Sequence, residues 1–284
     1  MNRLLSQKIV FIGAGSMAEA ILRGLTGKQK AEPKLIALLN HQNVSRLAEL
    51  HDQYGVNTAS DPETRSEYIR NADILVLAMK PKDAAAALHE ISALVNPNQL
   101  LISVIAGLSI QTISTILHRE MPIVRTMPNT SSTIGLGATG VSFSSGLSEQ
   151  HQELALEMFT SIGIAVKVEE SQMDIVTGIS GCGPAYVYYL MESMIAAGVA
   201  GGLTNEESRI LTKQTVLGAA NMMNITDEDP AVLRRKVTSP GGATQAALEI
   251  LDQFAFSEGI HKAIGRATLR SGEMGAAITE QQKK

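Results

Sequence analysis

Residues 9–25 read IVFIGAGSMAEAILRGL, and this stretch decides the fold. A short β-branched run leads into Gly13-Ala14-Gly15, after which apolar residues recur at the spacing of one helical face. The pattern predicts a strand, a tight turn and a helix. With Ala18 in the third small position, the spacing G-x-G-x-x-A is typical of a dinucleotide-binding turn, in which glycines let the backbone approach a phosphate at a helix N-terminus. The same spacing also fits a turn that binds another phosphate or no ligand.

Length and composition indicate one large or two ordinary globular domains, since the chain has 284 residues, of which 44% are hydrophobic and 18% charged. The formal net charge is −4, and the scattered Lys and Arg form no basic stripe, which argues against a nucleic-acid partner. The first apolar run breaks at Gly13, too short for a secretory signal, and no later run reaches the length of a membrane span. We therefore expect a cytoplasmic protein with no membrane partner.

The cysteine and histidine pattern offers no metal site. A single cysteine, Cys182, excludes an internal disulfide framework and a cysteine-based zinc cluster. The six histidines show no H-x-x-x-H pairing. We expect no metal.

Further apolar runs predict the other strands of a Rossmann-type, doubly wound parallel sheet with intervening helices, at residues 34–39, 73–79, 100–105, 121–126 and 164–168. The run at 73–79 is almost continuously apolar, as in a parallel strand covered on both faces. Strand exits with Gly or Pro follow at 80–82, 106–107 and 127–130. Ligands bind at this edge of doubly wound sheets, so the exits and the glycine turn together predict a dinucleotide site.

The end of the second strand bears on the choice of cofactor. No carboxylate follows it, although one usually holds the ribose hydroxyls of NAD at this position. Asn40 can hydrogen bond to ribose or phosphate without repelling a 2′-phosphate, and His41 or Arg46 adds positive charge. The pattern favours NADPH and leaves NADH possible. The alternative for His41 and Arg46 is an ordinary polar loop.

Helical spacing replaces the strand period after Glu169, so we expect a Rossmann domain at 1–168 and an all-helical domain at 169–284. In the second half, TSPGGAT at 238–244 is dense in turn-forming and hydroxyl residues. A Gly-Gly before a helix presents several N–H groups to an anion, and Ser239 and Thr244 add hydroxyls. Helix capping needs only one such residue, so we predict a ligand-binding loop.

Taken together, several motifs closely resemble the pyrroline-5-carboxylate reductase family: IGAGSMAEAI (12–21), LAMKP (77–81), RTMPNT (125–130), SGCGPAYV (180–187), KQTVLGAA (213–220) and VTSPGGAT (237–244). They follow the family's order from about residue 8 to Met274. The resemblance implies NAD(P)H binding, an all-α C-terminal domain through which two subunits interlock as a homodimer, and assembly of larger homo-oligomers as an option. The implied reaction reduces the C=N bond of 1-pyrroline-5-carboxylate to L-proline, the last step of proline biosynthesis.

Site residues carried over by motif fall in two groups. The resemblance implies cofactor contacts at Ile12, Gly13, Ala14, Gly15, Ser16, Met17, Asn40, Ala78, Met79, Lys80, Pro81, Ile105 and Ala106. It implies that the substrate carboxylate is held by Ser239, Gly242, Ala243 and Thr244, with Thr244 as the catalytic proton donor. Glu170 stands where members often carry an acidic residue near the substrate.

The chemistry of the motifs is consistent with this reaction, because hydride transfer to a protonated imine needs positioning rather than a nucleophile or a metal. Cys182 stands where the family usually has Ser, and Lys236 where uncharged residues are common. Alternatives are a reductase of another small cyclic imino acid, a hydroxyacid-type dehydrogenase with Lys213 as its catalytic lysine, and a non-catalytic dinucleotide-binding sensor.

Overall fold

The computed structural model describes residues 3–281, whose contacts divide into two units. The sheet unit contains the described residues up to Cys182 together with those from Gly265 onward. The helical unit is Gly183–Ile264.

The sheet unit is built on an eight-stranded sheet with the order β3-β2-β1-β4-β5-β6-β7-β8. The strands are β1 (Ile9–Ile12), β2 (Ile36–Leu39), β3 (Asn57–Ala59), β4 (Ile74–Leu77), β5 (Leu100–Ser103), β6 (Ile123–Met127), β7 (Gly137–Phe143) and β8 (Gly163–Lys167). The doubly wound topology is confirmed. The predicted parallel arrangement holds for β1 to β6; the exceptions are β7 and β8, since β7 runs antiparallel to β6 and β8 runs parallel to β7. Residues 128–136, which join β6 to β7, are too few for a parallel crossover.

The sheet has its switch point at β1, which pairs with β2 on one side and β4 on the other. Ile12 is aligned with Leu39 and with Leu77, so these three parallel strands end at one edge. All residues of β1, β2 and β4 are buried, as the continuous apolar runs predict for strands covered on both faces. The exits of these strands therefore share one place outside the sheet.

Helices of the sheet unit are α1 (Ser16–Gly27), α2 (Val44–Tyr54), α3 (Pro62–Asn71), α4 (Ala84–Ile91), α5 (Ile110–Leu117), α6 (Glu149–Thr160) and α7 (Met173–Val176). The sequence analysis predicted neither β3, β7 nor α3. In β3 the only fully buried residue is Ala59, which leaves almost no apolar pattern to recognise. The start of α3 does carry a signal, because Asp61 accepts a hydrogen bond from the Thr64 N–H (2.9 Å) and Pro62 takes the first helical position.

The boundary between the sheet unit and the helical unit follows Cys182, whereas the sequence analysis placed the domain boundary at residue 168. Residues 169–182 contain α7 and a π-helical turn, Thr177–Gly181, that pack on the sheet. A Cβ added to Gly140 of β7 would lie 2.6 Å from Cγ1 of Val176, so the Val176 side chain of α7 packs directly on the β7 backbone at this glycine. Helical periodicity alone could not show that this segment packs on the sheet.

The helical unit contains α8 (Gly183–Ala200), α9 (Asn205–Thr226), α10 (Pro230–Lys236), α11 (Ala243–Gln253) and the first residues of α12 (Phe256–Gln281). Large apolar side chains on these helices are exposed, with Tyr189 73%, Ile225 79% and Phe254 81% accessible. So many exposed large apolar side chains in one unit indicate a protein interaction face. None of the helices within residues 3–281 combines the length and apolar character that crossing a membrane requires.

Candidate functional site

Gly13 occupies the end of β1 and can be no other residue without strain. Its φ of +109° is a conformation that side-chain-bearing residues rarely adopt. A Cβ on Gly13 would lie 2.5 Å from the carbonyl oxygen of Ala78 and 2.8 Å from its carbonyl carbon. The turn after β1 therefore presses directly on the exit of β4, which explains why the first glycine of the fingerprint is required by the protein itself.

Gly15 has a different environment, because the nearest atom to an added Cβ is the Ala78 carbonyl oxygen at 4.0 Å. It is the residue before α1 and provides no side-chain cap. The first N–H groups of α1 therefore lack a capping side chain, and the exposed Gly15 and Ser16 leave them accessible. An open helix N-terminus beside a glycine turn is a cradle suited to a phosphate.

A cavity of about 570 Å³ joins the exits of β1, β2 and β4. Its lining includes these predicted cofactor residues: Ile12, Gly13, Ala14, Gly15, Asn40, Ala78, Met79 and Lys80. It also includes residues that the sequence analysis did not select: Gln42, Arg65, Lys82, Asp83, Ala86, Ala87 and Glu90. Among the described residues, the predicted Ser16, Met17, Pro81, Ile105 and Ala106 are not part of this lining. The volume and the location suit the adenosine and phosphate portion of a dinucleotide.

The loop after β2 shows how the two basic candidates differ. Asn40 Oδ1 accepts hydrogen bonds from the N–H groups of Gln42 (2.9 Å) and Asn43 (3.2 Å), which fixes the turn. His41 lines the cavity. Arg46 pairs with Glu19 and with Glu49 (3.0 Å), and the hydrogen bond to Glu49 is the main cause that raises its pKa. The charge of Arg46 is thus already compensated within α1 and α2.

The loop after β5 packs against the sheet-unit part of α12. Gly107 has a φ of +77°, and an added Cβ would lie 2.9 Å from the Ser271 carbonyl oxygen and 3.0 Å from the Gly275 N. Ile105 is buried and Ala106 is half-buried. This contact fixes the loop that the resemblance assigns to the nicotinamide end.

Glu170, a predicted substrate residue, lies in a polar network of the sheet unit. Its Oε1 accepts a hydrogen bond from the N–H of Ile110 (2.7 Å) and is 3.4 Å from Nη1 of Arg125. The other Arg125 terminal nitrogen is 3.3 Å from Oδ1 of Asp174, which also accepts from the Ser271 hydroxyl (2.7 Å). Glu170 therefore caps α5 and pairs with a buried arginine, and its contact with substrate stays a prediction.

The RTMPNT and SGCG motifs contact each other. Asn129 donates from Nδ2 to the Ser180 carbonyl oxygen (3.0 Å) and accepts through Oδ1 from the Ala138 N–H (3.3 Å). A Cβ on Gly181 would lie 2.6 Å from Cε of Met127, so the end of the Met127 side chain packs against this glycine. Cys182 ends the π-helical turn half-buried, with its N–H donating to the Thr177 carbonyl oxygen (2.8 Å).

In the helical unit, residues 239–244 form a tight turn leading into α11. Gly241 has a φ of +69° and donates its N–H to Oε1 of Gln245 (2.8 Å), while the Gly242 N–H donates to the Ser239 carbonyl oxygen (3.0 Å). Gly242 precedes α11 without a side-chain cap, and Ser239, Ala243 and Thr244 are exposed. The turn thus presents an open helix N-terminus with hydroxyl groups on both sides, which suits a carboxylate.

Lys236, one of the two departures from the family pattern, pairs with Glu228 at 2.5 Å. The pair lies in the helical unit, with the lysine side chain 59% exposed. Its charge is therefore partly compensated within the chain.

The glycine turn, the open N-terminus of α1 and the cavity at the switch point define a dinucleotide-binding protein of the Rossmann class. Two family models match, described as "NADP oxidoreductase coenzyme F420-dependent" over residues 8–107 and "Pyrroline-5-carboxylate reductase dimerisation" over residues 170–274. The chain belongs to the pyrroline-5-carboxylate reductase family, as its similarity to full-length relatives shows.

Two relatives illustrate that similarity. Pyrroline-5-carboxylate reductase 1 of Bacillus spizizenii is 44% identical over 94% of this chain and 89% of its own length. The pyrroline-5-carboxylate reductase of Arabidopsis thaliana is 35% identical over 95% of this chain and 96% of its own.

Solved structures agree with the fold. A pyrroline-5-carboxylate reductase from Coxiella burnetii has a TM-score of 0.87 at 34% identity, covering 95% of this chain and 98% of its own. A pyrroline carboxylate reductase of Plasmodium falciparum, solved with NADP bound, has a TM-score of 0.85 at 31% identity, and the match covers 96% of this chain and 99% of its own.

Proposed function

We propose that this protein reduces the C=N bond of 1-pyrroline-5-carboxylate to give L-proline, the last step of proline biosynthesis, with NADPH as the reductant. The observation that carries the proposal is the phosphate cradle at Gly13, Gly15 and the N-terminus of α1, in a chain whose full-length relatives are named for this reaction. The Plasmodium structure with NADP bound supports the choice of cofactor.

The sheet unit would hold the dinucleotide. The open N–H groups of α1 would bind the pyrophosphate. Because Asn40-His41-Gln42 contains no carboxylate, this loop would not repel a 2′-phosphate. When bound, NADPH supplies the hydride that reduces the imine carbon. The loop at Ile105 and Ala106, fixed against α12 through Gly107, provides a rigid wall for the nicotinamide end.

The helical unit would hold the substrate by its carboxylate. The N–H groups at the start of α11 and the hydroxyls of Ser239 and Thr244 are donors that match carboxylate oxygens. A threonine hydroxyl is a weak acid in water, so Thr244 orients a hydrogen bond to the imine nitrogen or relays a proton from solvent. Positioning of both reactants then supplies much of the rate acceleration.

One assay tests the activity. Purified protein is mixed with 1-pyrroline-5-carboxylate and either NADPH or NADH, and cofactor oxidation is followed by absorbance. We expect turnover with pyrroline-5-carboxylate and faster turnover with NADPH. Absence of turnover with both cofactors would refute the proposal. A higher kcat/KM with a six-membered cyclic imino acid would reassign the substrate, and dinucleotide binding with no imine reduced would indicate a sensor.

The role of Thr244 is tested by Thr244→Val, which keeps the shape and removes the hydroxyl. We expect kcat to fall about 10- to 100-fold, because one oriented hydrogen bond at the reacting nitrogen is lost, with the Kd for NADPH unchanged. Thr244→Ser retains a hydroxyl and should keep most of the activity. Normal kcat in the valine variant, or weakened NADPH binding alone, would remove Thr244 from the mechanism.

We infer in addition that the protein is a homodimer formed through the helical unit. The dimerisation model matches residues 170–274, and α8, α10 and α11 contain no buried residue in the described single chain. Ile225 and Phe254 are more than three-quarters exposed, which is costly unless another surface covers them. A second copy of the same helices supplies that surface.

Ile225→Asp is expected to dissociate the dimer or weaken it by at least about tenfold, because a carboxylate would be buried in an apolar interface. Sedimentation velocity over a range of protein concentrations measures this. The matched control is Val44→Asp, which places the same charge at an exposed apolar position of the sheet unit, 59% accessible in the single chain. Equal oligomeric states for wild type and Ile225→Asp would contradict the interface assignment.

A further inference from the structure

Arg65 of α3 is a charged residue of the cavity lining that has a buried donor without a hydrogen-bond partner among the described residues. Only 7% of the residue is accessible, although arginine is rarely buried unless it is fully paired. Its Nη2 forms an ion pair with Oε1 of Glu90 at 2.9 Å. Its Nε has no hydrogen-bond partner among the described residues. A buried, charged donor without an acceptor is costly, so an acceptor that arrives with a ligand would be bound favourably.

The position of Arg65 relates it to the adenosine end of the cavity. It lies on α3, directly after β3, and shares the cavity lining with Asn40, His41 and Gln42 from the exit of β2. Glu90 and the small residues Ala86 and Ala87 line the same cavity from α4. The pyrophosphate cradle at Gly13 and Gly15 belongs to the other, β1 side of this lining.

The charges of this cavity favour an anion. Arg65, Lys80 and Lys82 contribute positive charge to the lining, and Asp83 and Glu90 contribute negative charge. The Glu90 side chain is half exposed, so water weakens its attraction to Arg65 more than it would in a buried ion pair. Guanidinium groups present adjacent N–H donors that match phosphate oxygens better than they match a neutral ring nitrogen.

We propose that Arg65 is the residue that recognises the 2′-phosphate of NADPH through its guanidinium group, and thereby sets the preference for NADPH over NADH. We assign the role to Arg65 rather than to Arg46, because both terminal nitrogens of Arg46 pair with carboxylates, whereas Arg65 keeps one donor without a partner among the described residues. The inference rests on the proposed use of NADPH by this cavity. The preference between NADPH and NADH is usually set by the loop after β2. In this protein we assign part of that preference to a residue of α3.

The test measures binding by calorimetry with two fragments, 2′,5′-ADP and 5′-AMP, which differ only in the phosphate at issue. Arg65→Met is expected to weaken 2′,5′-ADP binding about 10- to 100-fold, as for loss of a charged hydrogen-bond partner, and 5′-AMP binding less than about twofold. Arg46→Met, which removes a guanidinium that is already paired, is the matched control and should leave the ratio of the two affinities unchanged.

A second variant has the opposite expected sign. Glu90→Gln removes the carboxylate that competes for Arg65, so 2′,5′-ADP should bind about two- to fivefold more tightly while 5′-AMP binding is unchanged. Because Glu90 is half exposed, this variant tests the proposal even if Arg65→Met does not fold. Equal losses for both fragments in Arg65→Met would assign Arg65 to the adenine ring and overturn the proposal. Unchanged 2′,5′-ADP binding in either variant would also overturn it.

The same preparations separate this inference from the proposed function. Selective loss of 2′,5′-ADP binding in a protein that turns over no pyrroline-5-carboxylate would retain the role of Arg65 and refute the reaction. Full turnover together with an unchanged fragment ratio in Arg65→Met would retain the reaction and refute the role of Arg65.

Discussion

Gly13→Ala is expected to weaken NADPH and NADH binding by at least about 100-fold. The added Cβ meets two penalties at once. It imposes a φ of +109° on a side-chain-bearing residue, and it lies 2.5 Å from the Ala78 carbonyl oxygen. The turn and the β4 exit cannot both stay where they are, so the cradle for the pyrophosphate is displaced.

Titration of NADPH fluorescence and thermal denaturation of the free protein measure this effect. Gly15→Ala is the matched control for stability, because its added Cβ has no protein atom closer than 4.0 Å. We expect Gly15→Ala to melt like wild type and Gly13→Ala to melt several degrees lower. Wild-type cofactor affinity in Gly13→Ala would show that the β1 turn does not hold the dinucleotide.

Arg125→Met is expected to lower the free energy of unfolding by about 2–4 kcal/mol, slightly less than is usual for breaking a fully buried ion pair. Arg125 is 6% accessible and is the cation shared by Glu170 and Asp174. Without it, two carboxylates stay close together in a partly buried position with no positive charge between them. Their remaining donors are the Ile110 N–H and the Ser271 hydroxyl.

Calorimetric melting curves of the purified protein test this expectation. Glu170→Gln serves as the graded comparison, because it removes one charge but keeps an acceptor for the Ile110 N–H, and it should cost only about 1 kcal/mol. An unchanged melting temperature in Arg125→Met would show that the network contributes no stability. Kinetics of Glu170→Gln also bear on substrate contact, since a raised KM with normal stability would favour the role that the resemblance implies.

The network and Gly107 act on the same part of the molecule. Glu170 caps the helix that follows the loop at 105–107, and Asp174 bonds to Ser271, whose carbonyl oxygen lies against Gly107. The loop assigned to the nicotinamide end is therefore held by α12 on one side and by the capped start of α5 on the other. The residues that provide these contacts, Glu170, Asp174 and Ser271, are all distant from the loop in sequence.

Much of the cofactor side could be predicted, because each of its parts is a local pattern. Apolar runs predicted the strands β1, β2, β4 and β5. The glycine turn and Pro81 predicted where the chain turns, because few residues adopt the backbone angles that these turns require. The strand β7 was missed because Gly137–Phe143 contains two glycines and only a short apolar pattern. Its antiparallel direction depends on the short connection that precedes it. Arg65 was missed because its helix has a weak apolar face and its role depends on Glu90, which is distant in sequence.

The opening stretch at 9–25 by itself determined that a strand leads through a glycine turn into a helix with a free N-terminus, since backbone sterics and hydrogen-bonding geometry act between neighbours. The tertiary structure alone decided that Gly13 must press on Ala78, that Arg46 is already paired, and that Arg65 lines the cavity with a buried Nε that has no hydrogen-bond partner among the described residues. Those outcomes depend on which distant groups compete for the same space and charge, and such competition exists only once the strands lie side by side.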